Sequence, residues 1–450
     1  MKKMKRYQTV ILLLIGLAAF SCKKQLDVKS SSALEVPVTI ADFQSLMDNN
    51  NVMTQIWPFA GIAAADEGFV STANWQSSTL TPRNAYIWDR NVFNENPRND
   101  WSLAYTVIFY TNVVLEGVQQ YGQHTAEWNN IQGQASFFRG YAYYQLAQQF
   151  CKPYNAQSAD TDPGLVLRNS SDLNVKPVRS TVAQTYARMI ADLSAAVPLL
   201  PTTAVVKTRP CKSAAYAVLA RIYLSMRDYP NAGLYADSSL KLNSQLLDYN
   251  TVKVGTSPSF TRFNAEVLLH TLSSPVGLEL SPKFAVDTTL YRLYEAGDLR
   301  KVLFFQVQAG TTYYTFKGSY DGTVNLFNGP ATDEMYLIRA ESSARSGKLD
   351  AAMADLNTLR QNRFTKAAYL PLAATDAVQA LSLVLTERRK ELLLRGLRWS
   401  DLRRLNQEAA LAITLKKVVN GQTYTLPPND PRYTLPLPLA VISDTGMAQN

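Results

Sequence analysis

Apolar residues recur at helical spacing along most of the chain. Over several stretches they fall at positions i, i+3 and i+4, which is the period of an amphipathic helix. We expect helices at residues 40–49, 103–119, 130–150, 181–197, 212–226, 230–242, 332–346, 349–363, 377–395 and 399–410. The pattern therefore predicts a mainly α protein.

An internal repeat lies inside this helical pattern, because residues 220–232 match residues 340–352 at a constant offset of 120. In both copies two alanines lie twelve positions apart, Ala220 with Ala232 and Ala340 with Ala352. Small residues at this spacing allow two antiparallel helices to pack closely, as in tetratricopeptide repeats. The repeat predicts a tetratricopeptide-like helical scaffold, an α-α superhelix.

Three segments depart from the helical pattern, and they are residues 51–100, 151–179 and 243–330. They are rich in Pro, Gly, Asn and Thr, and residues 311–316 alternate as a short strand would. Irregular segments of this length are usually functional or disordered, and their aromatic content argues against disorder. We therefore expect long irregular loops with minor β structure.

The N-terminus has the pattern of a secretory signal peptide over residues 1–21. Basic residues from Lys2 to Arg6 precede an apolar run, residues 10–20, that is too short to span a bilayer. Ala19-Phe20-Ser21-Cys22 resembles a bacterial lipobox, although Phe20 is bulky for that motif. We expect lipidation of Cys22, a tether over 22–38 and a single domain over 39–450; an ordinary signal peptide with a chance cysteine is the alternative.

The composition excludes several classes of site. With 2 His and 3 Cys in 450 residues, histidine-based metal sites and catalytic triads have little material. Cys151 and Cys211 are either buried as small apolar residues or paired with each other. No compact acidic loop has calcium-ligand spacing, so neither a metal ion nor a cofactor is predicted. The net charge of +9 comes partly from the first 21 residues and forms no basic block, so nucleic-acid binding is not predicted.

Several motifs in a fixed order together resemble the SusD/RagB-like family of nutrient-binding outer-membrane lipoproteins. The motifs are Gln25-Leu26-Asp27; Ala135 to Tyr141 with Phe150 and Pro153; Ala220 to Leu224 with Asp228 and Tyr229; Met335 to Glu341 with Asp355, Leu356, Asn357 and Arg360; Glu387 to Leu392 with Gly396, Arg398, Trp399, Asp401, Leu402 and Arg404; and Leu435 to Pro438. Departures from the family pattern are Gly140, Arg395, Ser30 and Ser31, which affect scaffold positions.

The resemblance implies a function in nutrient uptake. It implies a surface-exposed lipoprotein on the extracellular side of the outer membrane, which captures an oligomeric nutrient and delivers it to a SusC-like TonB-dependent transporter. The ligand it implies is a glycan, with peptides as the alternative. A structural or adhesive helical-repeat lipoprotein is a further alternative, since such repeats often bind proteins.

Candidate ligand contacts lie in the irregular segments, because exposed aromatic rings suit the apolar faces of sugars. Four of the six tryptophans, Trp57, Trp75, Trp88 and Trp101, fall within one short stretch. The ligand-binding residues that we predict are Asp66, Trp75, Arg83, Tyr86, Trp88, Tyr291, Tyr314 and Tyr320. Deletion of the ring at Trp75 or Trp88 should weaken binding without unfolding; the alternative is that these rings pack the loop onto the helices.

An enzymatic function is not predicted. Asp66-Glu67 and Asp333-Glu334 are the carboxylate pairs that glycoside hydrolysis could use. Adjacent residues seldom place both carboxylates on either side of a scissile bond, as that reaction requires. Asp333 and Glu334 also begin a predicted helix, where the helix dipole favours acids.

Overall fold

The computed structural model describes residues 36–55, 57–93, 97–273 and 283–450. The predicted signal peptide, Cys22 and most of the predicted tether lie outside the described residues. Within these ranges, no helix has both the length and the apolar character that a bilayer crossing requires.

Helices dominate the described part of the chain. The α-helices are α1 Ile40–Met47, α2 Asn50–Met53, α3 Ala60–Ala64, α4 Thr72–Gln76, α5 Leu80–Tyr86, α6 Asp100–Tyr121, α7 Ala126–Phe150, α8 Val182–Leu199, α9 Lys212–Ser225, α10 Tyr229–Leu242, α11 Thr288–Arg292, α12 Arg300–Leu303, α13 Thr332–Arg345, α14 Leu349–Gln361, α15 Ala377–Glu391, α16 Arg398–Leu405 and α17 Leu439–Thr445. Short 3-10 helices lie at Tyr249–Thr251 and Pro431–Tyr433.

The strands form four two-stranded antiparallel ladders, β1 with β4, β2 with β3, β5 with β6 and β7 with β8. Their bounds are β1 Gly68–Val70, β2 Pro163–Val166, β3 Arg179–Thr181, β4 Phe284–Val286, β5 Phe305–Val307, β6 Tyr314–Phe316, β7 Leu415–Val419 and β8 Gln422–Leu426. The strand predicted at 311–316 is present as β6, in the second half of that range. The mainly α prediction is confirmed.

The ten predicted helices are all present, most of them with ends within a few residues of the prediction. Side-chain caps fix several starts; Asn99 caps α6 and Asp376 caps α15 through main-chain N–H groups. The prediction for α15 extends too far, because Leu394 and Gly396 adopt positive φ values of 54° and 74° that end helical geometry. The prediction for α16 is also too long, since the helix ends at Leu405.

The repeat forms two helix pairs, α9 with α10 and α13 with α14, and α10 packs on α13. The four repeat alanines, Ala220, Ala232, Ala340 and Ala352, are fully buried. At Gly233 the two pairs approach so closely that a Cβ atom would lie 2.3 Å from Ser342 Oγ. The predicted tetratricopeptide-like scaffold is confirmed.

Ion pairs buried between helices hold the scaffold together. Arg221 on α9 contacts Glu334 at the start of α13 at 2.6 Å, and Arg404 on α16 contacts Glu341 on α13 at 2.6 Å. Arg221 also donates to the carbonyls of Asn328 and Gly329. Each charge is buried only together with its partner, since an unpaired buried charge is very costly.

A second core lies under the loop-rich part of the chain. It is built mainly of aromatic side chains, among them Tyr249, Phe260, Phe304, Tyr320 and Phe327. The three segments predicted to be irregular contain, within the described residues, only helices of at most seven residues and short strands. Cys151 and Cys211 are both buried and free, so the alternative of a disulfide between them is excluded.

Candidate functional site: an aromatic surface on the irregular segments

Two strand ladders bring together the segments that sequence analysis treated as separate candidate regions. β1 pairs with β4 in the register Gly68 with Val286, Phe69 with Ala285 and Val70 with Phe284. β4 in turn packs against β6, which pairs with β5. Residues near 70 and residues near 310 therefore share one part of the molecule.

Partly exposed aromatic side chains flank these ladders. The rings of Phe69 and Tyr313 meet edge to face with centroids 4.9 Å apart. Tyr291 and Tyr314 stack with centroids 3.9 Å apart and an interplanar angle of 12°. Tyr313 is 40% exposed, while Phe69, Tyr291 and Tyr314 are half-buried. We call these four residues, together with Trp75, the aromatic surface.

Cations lie beside these rings. Lys301 Nζ is 5.2 Å from the centroid of Tyr291. Burial and the hydrogen bond with Tyr314 raise the pKa of the Tyr291 hydroxyl, so this hydroxyl keeps its proton at physiological pH. A stacked pair of rings next to a cation offers both apolar ring area and a hydrogen-bond donor.

Trp75 lies on α4, whose start is capped by Ser71. Its indole Nε1 donates to the Arg83 carbonyl at 3.0 Å, and the Arg83 guanidinium lies 5.7 Å from the ring centroid. Asn74 Nδ2 donates to the Lys283 carbonyl at 3.1 Å, which fastens α4 to the start of β4. All six tryptophans of the chain lie within the described residues; five are buried and Trp75 is half-buried.

The structure corrects the prediction for Tyr86 and Trp88, which are 1% and 2% exposed and present no ring face to a ligand. Trp88 Nε1 donates to the Ala64 carbonyl at 2.9 Å. Lys417 from β7 covers both rings, with Nζ 3.8 Å from the centroid of Tyr86. Burial raises the pKa of Tyr86 to about 12. These two rings therefore pack the loop onto the scaffold, which was the alternative to ligand binding.

The prediction for Tyr320 is also corrected, because this residue is 2% exposed and belongs to the second core. Its hydroxyl donates to Glu266 Oε2 at 2.9 Å and is hydrogen-bonded to the Tyr249 hydroxyl. Burial and the neighbouring charge of Glu266 raise the pKa of Tyr320 well above its ordinary value.

Asp66 is paired with two arginines, Arg398 and Arg389. Arg398 Nε and Nη2 donate to its two carboxylate oxygens at 2.6 and 2.9 Å, and Arg389 Nη2 adds a third contact at 3.2 Å. Burial alone would raise the pKa of Asp66, but the charge and hydrogen bonds of Arg398, with Arg389, hold it at about 2. The carboxylate is thus paired with two arginines, and since its side chain is still 19% exposed, its role as a ligand contact stays a prediction.

The neighbouring Glu67 and the pair Asp333-Glu334 are engaged in the same way. Glu67 is 3% exposed and accepts from the Leu394 N–H at 2.7 Å; burial raises its pKa to about 8. Glu334 pairs with Arg221, and Asp333 with Arg395 at 3.0 Å. Each of these three carboxylates is buried and has a hydrogen-bond or ion-pair partner within the protein.

One group of three buried carboxylates, Glu266, Asp333 and Glu391, has oxygens within 4.8 Å of one another. Arginines neutralise each of them. Arg363 bridges Glu266 and Glu391 at 2.7 and 2.8 Å, and Arg395 pairs with Asp333. The closeness of these acids is therefore explained by their arginine partners.

Of the predicted contacts, Trp75, Arg83, Tyr291 and Tyr314 belong to or border the aromatic surface and remain predictions. Phe69, Tyr313 and Lys301 were not among the predicted contacts. Tyr313 lies within the alternating run 311–316, which was the available signal. For Phe69 no local signal existed, because its exposure depends on a strand partner more than 200 residues away.

Comparison with known proteins agrees with this architecture. Residues 24–224 match the family described as "Starch-binding associating with outer membrane", and residues 332–450 match the SusD family. No curated protein is significantly similar in sequence.

Solved structures of low sequence identity share the fold. A SusD superfamily protein from Bacteroides thetaiotaomicron VPI-5482 is 21% identical, with a TM-score of 0.74 over 92% of this chain and 100% of that one. A SusD-like carbohydrate binding protein from Bacteroides vulgatus ATCC 8482 is 21% identical, with a TM-score of 0.68 over 91% and 97%. A laminarin binding SusD-like protein is 18% identical, with a TM-score of 0.65 over 91% and 98%. From the two family matches and this shared fold it follows that the chain belongs to the SusD/RagB-like family.

Proposed function

We propose that this protein is a lipoprotein on the outer face of the outer membrane that binds an oligosaccharide and delivers it to a SusC-like TonB-dependent transporter. The observation that carries the binding role is the aromatic surface. There, two segments far apart in sequence present partly exposed rings on one part of the molecule. The protein captures the nutrient and leaves translocation to the transporter.

The chemistry of the aromatic surface suits a neutral glycan. A pyranose ring has apolar C–H faces, which pack on aromatic rings, and hydroxyl groups at its edge, which need hydrogen-bond partners. Tyr313 and the stacked Tyr291 and Tyr314 supply the rings. Lys301 lies next to Tyr291 and Arg83 next to Trp75, where each can donate to the hydroxyl groups.

Relatives support the ligand class. One structural neighbour binds laminarin and another is a carbohydrate binding protein, and one matching family is described as starch-binding. The family to which the chain belongs supports the outer-membrane location and the transporter partner. The signal peptide predicted over residues 1–21 and the lipidation predicted at Cys22 supply the route and the anchor.

The binding role is tested with the lipid-free form that begins at Lys23, titrated with a panel of neutral oligosaccharides and of peptides. Binding is read by calorimetry and by tryptophan fluorescence. Because Trp75 is the one tryptophan that is not buried, we expect saturable quenching with an oligosaccharide that disappears in Trp75→Phe while calorimetric binding is retained. If only peptides bound, the proposed ligand would be a peptide instead of a glycan. If neither oligosaccharides nor peptides bound, the proposal would be contradicted.

The transporter partner is tested separately on whole cells. Affinity purification of the lipidated protein should recover a TonB-dependent barrel in roughly equal amount, and protease added to intact cells should cleave the lipoprotein. Recovery of the lipoprotein alone, or its protection in intact cells, would contradict delivery at the cell surface.

A further inference from the structure

A cavity of about 720 Å³ lies outside the aromatic surface. It opens between the loop that follows the 3-10 helix Tyr249–Thr251 and the turn at residues 321–323. None of its lining residues belongs to the aromatic surface. Its volume is in the range of small-molecule sites in proteins.

The lining of this cavity differs chemically from the aromatic surface. The one aromatic lining residue, Phe260, is 3% exposed, with its ring against Tyr249 and Tyr320 at 5.0 Å each. No ring face is therefore open for stacking. The polar lining residues include Thr251, Lys253, Thr256, Ser259, Arg262 and Asp321.

The cations of the cavity remain accessible, whereas its one lining acid is engaged. Asp321 is fully buried and contacts His270 Nε2 at 2.9 Å, Arg262 Nη2 at 3.0 Å and the Thr323 hydroxyl. The Arg262 side chain is still 47% exposed, so its guanidinium can donate to a second carboxylate while one edge holds Asp321. Lys253 is exposed beside it.

The hydroxyl groups of the lining are oriented by the protein. Ser259 Oγ donates to the Leu303 carbonyl at 2.7 Å, and Thr256 Oγ1 donates to the Lys253 carbonyl at 3.1 Å. Thr251 Oγ1 donates to the Asp248 carbonyl at 2.7 Å. Because their protons are committed to carbonyls, these oxygens are left as acceptors for the hydroxyl groups of a ligand.

We propose that this cavity is a second binding site that takes a sugar acid, with the carboxylate on Arg262 and Lys253 and the hydroxyl groups on the serine and threonine oxygens. A free hexuronate and the acidic end of an oligosaccharide share this chemistry. The cavity recognises charge and hydroxyl groups, whereas the aromatic surface recognises ring faces, so the two sites have different ligands.

The test uses the detergent-solubilised mature chain and calorimetric titration with glucuronate, an oligogalacturonate and, as the neutral analogue, glucose. We expect both acids to bind and glucose not to bind. Lys253→Gln should weaken the binding of the acids about three- to tenfold, the range for one charge contact at a partly exposed site. The ratio of the affinities for glucuronate and the oligogalacturonate tells whether the cavity prefers a free hexuronate or the acidic end of an oligosaccharide.

Three variants make the result specific. Lys416→Gln removes an exposed lysine on β7, outside the cavity, and should bind the acids as the unmodified protein does. Arg262→Gln should weaken binding further, with thermal unfolding to verify that it folds. Trp75→Ala should leave acid binding unchanged, which separates this site from the aromatic surface. The inference is overturned if neither acid binds, if glucose binds as well as glucuronate, or if neither cavity variant weakens binding.

Discussion

The helical scaffold and the aromatic surface use polar and apolar groups in opposite ways. Between the scaffold helices, charges are buried as closed pairs, such as Arg221 with Glu334, and small residues let helices touch. On the aromatic surface, rings are only half covered, and the cations beside them have access to solvent. The scaffold satisfies its groups internally, whereas the aromatic surface leaves groups that a ligand can satisfy.

This difference teaches that composition alone does not identify a binding residue in this protein. Trp75 and Trp88 lie thirteen residues apart in the same irregular segment, and both donate their indole N–H to a carbonyl. Trp88 is buried under Lys417, whereas Trp75 keeps part of its ring exposed. What separates the two roles is the covering element, which comes from the far end of the chain.

The largest effect on stability should follow from removing one partner of a buried ion pair in the scaffold. Arg221→Ala leaves Glu334 without its counter-charge in a site that is 0% exposed, so we expect the free energy of unfolding to fall by about 4 kcal/mol. Urea denaturation measures this. The double variant Arg221→Met with Glu334→Met should recover most of the loss, because it removes both charges. A loss below about 1 kcal/mol in the single variant would show that the pair is not structural.

Trp88→Ala should be the next largest effect, and it should act on stability. Removing a 2% exposed indole leaves a cavity and takes away the donor to the Ala64 carbonyl, which costs about 3 kcal/mol. Glycan affinity per folded molecule should be unchanged. If Trp88→Ala were as stable as the unmodified protein but no longer bound glycan, Trp88 would be a ligand contact. Its role would then not differ from the role predicted for Trp75.

Tyr313→Ala and Trp75→Ala should act on binding. Loss of one contact ring should weaken oligosaccharide affinity by about 1–3 kcal/mol, with a smaller loss of stability because neither ring is fully buried. Calorimetry checks the affinity and thermal unfolding checks the fold. Tyr320→Phe is the matched control, since it removes a buried hydroxyl from the same segment and should leave affinity unchanged. If both alanine variants bound the oligosaccharide as tightly as the unmodified protein does, the glycan site would lie elsewhere.

The helical scaffold could be predicted from the sequence because its signals are local. The alanine spacing in 220–232 and the caps of α6 and α15 lie within a few residues of the elements they determine. Hydrophobic periodicity then gives the helices directly. Errors occurred where a left-handed residue such as Leu394 ends a helix without a change in composition.

The aromatic surface could be predicted only as a region. That aromatic residues cluster near 57–101 and 291–320 is visible in the sequence. Which of them are exposed depends on the pairing of β1 with β4 and on Lys417, contacts that join residues more than 200 positions apart. Asp66 shows the same limit, since its partner Arg398 lies 332 residues away.

The smallest effect should arise at Glu67, where the aromatic surface is fastened to the scaffold. Its main-chain carbonyl accepts from the Asp287 N–H next to β4, and its side chain accepts from Leu394 after α15. Burial, opposed by the Leu394 N–H and assisted by the charge of Asp66, raises the pKa of Glu67 from 4.5 to about 8; Arg398 and Arg389 oppose the rise. The folded protein therefore carries this proton at neutral pH.

Because the folded pKa of Glu67 lies above the unfolded one, the stabilisation from its proton is complete below about pH 4.5 and declines as pH rises toward about 8. Glu67→Gln keeps the carbonyl acceptor and cannot ionise. From pH 5.5 to 6.5, its free energy of unfolding should therefore rise relative to the unmodified protein by about 1.3 kcal/mol. Parallel pH profiles for Glu67→Gln and the unmodified protein would mean that Glu67 is ionised where it is buried, and that the aromatic surface is fastened by a charge, as the scaffold is.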